Sequence, residues 1–100
     1  MFDLAEIQDR IKKHEKMLDG IENKMSELKN EFEDLTSQCQ AHDDDYFREH
    51  HEEREQLAET IRKRLSVYEL LKEVADDIRT KTFEDMQNVY EELQKTKYFE

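Results

Sequence analysis

The sequence predicts an all-α protein, built as a long helical coiled coil or, alternatively, as a helical hairpin that dimerises into a bundle. Three observations predict it. Apolar residues recur at alternating steps of three and four from Leu4 to Tyr46. The 100 residues contain no proline and one glycine, so almost nothing stops a helix. Charged residues make up 43% of the chain, yet they fall between ordered apolar positions, which separates the pattern from that of a disordered segment.

The first element, residues 1–47, is a heptad helix. Its seam reads Leu4, Ile7, Ile11, His14, Leu18, Ile21, Met25, Leu28, Phe32, Leu35, Cys39, His42 and Tyr46, a 3.5-residue period held over about six heptads. Asp3 is placed to cap its start and Glu6, three residues on, completes an acid-type capping box, with Phe2 and Ile7 as a hydrophobic staple. Gly20 leaves the phase of the seam unchanged and marks a weak point rather than an end. The oligomerisation seam is therefore expected to comprise Leu4, Ile7, Ile11, Leu18, Ile21, Met25, Leu28, Phe32 and Leu35.

After Tyr46 the next seam positions are Glu49 and Glu53, and the repeat fails. Residues 48–56 form a charged joint or a solvated stretch of helix. Asp43, Asp44 and Asp45 favour a cap and a bend, because their short polar side chains compete with the helix backbone. Glycine and proline are absent there, and continuous helix through residues 42–55 is the reading favoured by that absence.

Residues 57–100 form a second amphipathic helix. Leu57, Ile61, Leu65, Tyr68, Leu71, Ile78, Met86, Val89 and Leu93 make a second packing stripe, continued through Ala75 and Thr82. Val67, Leu70, Val74, Phe83 and Tyr90 broaden it beyond a two-stranded seam. Tyr90, Tyr98 and Phe99 offer an apolar docking end.

The net charge of −11 argues against nucleic acid and anionic membrane surfaces as partners. No apolar run is long enough for a membrane span, and no signal-peptide core follows Met1. A single cysteine excludes an intrachain disulfide, and a reducing cytoplasmic or nuclear setting is expected. Chemistry has little to build on. Cys39 and His42 share the seam and would form a zinc ligand set only if a second chain supplied the same pair in register; as core and register residues they need no metal, and no metal or other cofactor is expected. His42, Asp45, Glu49, His50 and Glu53 lack the Glu-x-x-His pairing of di-iron helices. With no phosphate loop, nucleophile elbow or concave pocket, an enzyme is not expected.

The function read from the sequence is a structural subunit that oligomerises through its coiled coil within a larger intracellular assembly. Its partners would be protein helices, in a homo-oligomer or with a heteromeric coiled-coil partner. The flanking charges give no code for parallel self-pairing: Arg10 with Glu15 attracts, whereas Lys24 with Lys29 repels. The alternative is a coiled-coil adaptor that docks a target through the C-terminal aromatic end, and the remote alternative is a metal-stabilised dimer.

Overall fold

The computed structural model describes residues 3–99, with side chains described for residues 3–95. Among these there is no strand. Helix α1 spans Leu4–Gln40, α2 spans Asp44–Glu49 and α3 spans His51–Phe99. The chain divides into two compact units, one of residues 1–21 with 73–100, the other of residues 22–72.

Each end of α1 has a local cause. The Asp3 carboxylate accepts a hydrogen bond from the Glu6 backbone N–H at 3.1 Å, and the Asp3 carbonyl accepts from Ile7 N–H at 3.2 Å. This is the expected N-cap, which satisfies amides that no helical carbonyl reaches; the Phe2 side of the staple lies outside the described residues. In the last turns the Thr36 and Ser37 hydroxyls bond back to the carbonyls of Phe32 and Glu33, a habit that loosens a helix end. No basic side chain sits in that last turn to offset the carbonyl ends of the dipole.

Continuous helix through residues 42–55 is not what the chain adopts. Asp43 is extended (φ −87°, ψ 177°) and its side chain accepts from the Tyr46 N–H at 2.8 Å, capping α2. A second break follows at His50 (φ −117°, ψ 53°). The aspartate cap thus does the work of the missing glycine or proline. The reversal also gives the α1 seam a partner within its own chain, which a straight helix would lack. Beyond His50, α3 runs without interruption through Ser66, Thr80 and Thr82.

In the unit of residues 22–72, the second half of α1 returns on the first half of α3 as a helical hairpin. Leu28, buried to 6% exposure, faces Leu65 and Tyr68 across it, and Glu31 pairs with Arg64 at 2.7 Å. In the unit of residues 1–21 and 73–100, the first half of α1 lies antiparallel to the last half of α3. Ala75 and Ile78 are buried there, and Arg10 meets Asp85 while His14 meets Thr82.

Candidate interaction surfaces

The packed line of α3 is a strict heptad, and its composition differs from the apolar stripe in the sequence. The shielded residues are Leu57, Ile61, Arg64, Tyr68, Leu71, Ala75, Ile78, Thr82, Asp85, Val89 and Glu92, spaced four and three without a break. Arg64, Asp85 and Glu92 hold the seats beside Leu65, Met86 and Leu93. Those three apolar neighbours are pushed outward, to 48%, 52% and 59% exposure. On α1 the shielded line is Ile7, Ile11, His14, Leu18, Ile21, Met25, Leu28, Leu35 and Cys39, with Glu31 shielded beside the more open Phe32; Leu4 is also open, and His42 lies beyond the end of α1.

The polar seats are held by specific bonds. Arg10 grips Asp85 with two parallel hydrogen bonds, Nε to Oδ2 at 2.8 Å and Nη2 to Oδ1 at 2.6 Å. Asp85 is buried, and the bonds from Arg10 hold its carboxyl below the ordinary carboxylate range despite the opposing cost of burial. His14 Nδ1 lies 3.1 Å from the Thr82 hydroxyl, so both polar residues of that layer have a partner. In the other unit the Arg64 Nε sits 2.7 Å from Glu31 as an ion pair, with its N–H not aligned for a hydrogen bond. These contacts are made in one antiparallel register only.

The hairpin end carries a stack of rings. Tyr46 lies between His42 and His50, with centroids 3.7 Å and 4.1 Å away and planes within 9° and 16° of parallel, and Phe47 meets His42 and Tyr46 edge-on. The Tyr46 hydroxyl donates to Glu53 at 2.7 Å, which raises the phenol above its ordinary pKa. His50 Nδ1 is 3.0 Å from the Tyr46 carbonyl. The two histidines thus stack on the two faces of the Tyr46 ring. Among the described residues no group of three or more His, Cys, Asp or Glu side chains is arranged to hold a metal; Cys39 is half-buried and free.

Several large apolar side chains are exposed among the charged ones. Phe83, Met86, Tyr90 and Leu93 stand 64%, 52%, 63% and 59% open. Their spacing of three, four and three sets them in one ridge along α3. On its other flank Val67 and Leu70 are also exposed, as is Val74. Tyr98 and Phe99, the rest of the expected docking end, have side chains outside the described residues. A shallow apolar hollow of about 190 Å³ between Leu28, Phe32, Leu65 and Tyr68 completes the set.

Comparison with protein-family models, curated proteins and solved structures gives no match. The surfaces therefore speak through their own chemistry. No helix among the described residues is long and apolar enough to cross a membrane.

Sequence reasoning missed the polar seats. Scoring by apolarity selects Leu65, Met86 and Leu93 for the seam, because each adjoins a charged residue that water solvates well. The signal that finds Asp85 is complementary charge: Arg10 flanks the α1 seam, and the antiparallel register brings it to Asp85.

Proposed function

We propose that this chain is a structural interaction module that works by helix-to-helix association. The observation that carries this reading is the imbalance of its apolar side chains. Among the described residues only Leu28, Ala75 and Ile78 are buried hydrophobics, while eleven large hydrophobics from Leu4 to Leu93 are exposed. A lone helical pair with so thin a core is marginal, and large apolar side chains left exposed in a line along one helix mark a place where another molecule packs. The acidic charge, the absence of a metal cluster among the described residues and the shallow hollow all fit a binding role better than a chemical one.

The adaptor reading shares the same face, since Tyr90 and Leu93 belong to the exposed ridge. It differs in what covers that face. Cross-linking of the full chain in the cells that make it tests the common reading: covalent products with a defined protein, or with itself, are expected through α1 or α3. A chain that remains monomeric in solution and yields no cross-linked product refutes it.

A further inference from the structure

Resting on that reading, we propose that the Phe83–Leu93 ridge is a self-association face, on which the same ridge of a second copy packs antiparallel. The ridge belongs wholly to the unit of residues 1–21 and 73–100. Its four residues lie one position beyond the intrachain seats Thr82, Asp85, Val89 and Glu92, so one helix carries a second 3-4-3 line turned about 100° from the first. That spacing fits a helix as the partner.

Two features select a second copy. The first is charge. The outer flank of the ridge is formed by Thr80, Gln87 and Gln94, and its inner flank by Thr82 and Val89. In a chain that is 43% charged with a net charge of −11, the positions that would face a partner's flanks are all uncharged. Two acidic copies therefore meet here without repulsion, whereas a basic helix finds no carboxylates on these flanks to draw it in. The second is the pairing itself. With the twofold axis between Met86 and Tyr90, Phe83 faces Leu93 and Met86 faces Tyr90, so every layer sets an aromatic ring against a flexible aliphatic or thioether side chain. At about 200 Å² for a large side chain, the exposed fractions give roughly 500 Å² of ridge per copy and about 1,000 Å² across a pair. Complete coverage of the ridge would meet the threshold of about 1,000 Å² for a biological interface and fall short of the roughly 1,200 Å² of standard stable ones, which fits an association that depends on concentration.

The test is the mass of the full chain in solution across a range of concentrations, by light scattering or sedimentation. Twice the 12.2 kDa of one chain is expected. Phe83→Gln combined with Tyr90→Gln should return the monomer with helicity retained, since both side chains are already mostly in water. Val67→Gln with Leu70→Gln, on the other flank, should leave the dimer intact. In a Cys39→Ser background, a mixture of Thr80→Cys and Gln94→Cys chains should oxidise to the mixed disulfide. Preferential joining of Gln94→Cys to itself overturns the antiparallel pairing. A wild-type monomer, or a dimer indifferent to the ridge variant, overturns the self-association face. The association reading fails separately: it survives a monomer that cross-links in cells to another protein, and it falls with a monomer that cross-links to nothing.

Discussion

Replacing Asp85 with asparagine should cost about 1–2 kcal/mol of stability at neutral pH, a figure set by where its two bonds lie. The side chain keeps its volume, but the bidentate grip by Arg10 at 2.6 and 2.8 Å loses its charge. An exposed ion pair contributes about 0–1 kcal/mol, and stripping one partner from a fully buried pair costs about 3–5 kcal/mol. Asp85 retains 11% side-chain exposure and Arg10 retains 45%, so the released guanidinium can turn to water and the loss falls between those limits. For a chain of this size, that lowers the melting temperature by about 5–15 °C. Acid provides an independent check. The Asp85 carboxyl is held below its ordinary range mainly by the hydrogen bonds from Arg10. A depressed carboxyl adds stability that is fully present above the unfolded value of about 3.9 and is lost as pH falls through the folded value. Thermal melts followed by circular dichroism should therefore show a constant gap between wild type and Asp85→Asn from pH 7 to pH 5, closing below about pH 4. A variant that melts within about 1 °C of wild type at pH 7, or a gap that persists in acid, refutes the reasoning.

Further outcomes follow from single side chains. Leu28→Ala removes the most buried leucine, and the loss should be about 2–4 kcal/mol by denaturant titration, toward the lower end because the adjoining hollow already lets neighbours relax. Gly20→Ala should stabilise by about 0.5–1 kcal/mol, since the position is inside α1 and an added Cβ meets nothing within 4 Å; an unchanged or lower melting temperature would contradict this. Asp43→Ala should cost about 1 kcal/mol through loss of the bond to Tyr46 N–H, measured as a lower denaturation midpoint with an unaltered slope.

Much of this fold is legible in the residues, and the limits of that legibility have physical causes. Asp3 and Glu6 announce the start of α1 because capping is local and needs no partner. The α1 seam is visible for the same reason, since periodicity belongs to one strand of sequence. The turn at Asp43 is ambiguous, because an aspartate can cap a new helix or sit on a solvated one. Packing of the two arms across the hairpin, with Leu28 buried between them, decides. The seats of Arg64 and Asp85 are the least legible, since their stability depends on Glu31 and Arg10, distant in sequence and near only once the register exists. Of the ridge, Phe83 and Tyr90 read as extra width and Met86 and Leu93 as the stripe itself; its separation from the packed line becomes plain only when Asp85 is seen inside.

The charged seats on α3 have a consequence for how the helix chooses its orientation. In the unit that holds Asp85 and Glu92, the same helix spells two heptad frames one residue apart, Thr82-Asp85-Val89-Glu92 and Phe83-Met86-Tyr90-Leu93. The second is the more apolar, but rolling α3 by about 100° to bury it against α1 would carry the buried Ala75 and Ile78 out of the interface. Arg10 reinforces the first frame, because that frame sets the Asp85 carboxylate opposite it. The register that pairs Arg10 with Asp85 thus leaves Phe83, Met86, Tyr90 and Leu93 as a second, exposed apolar line on the same helix.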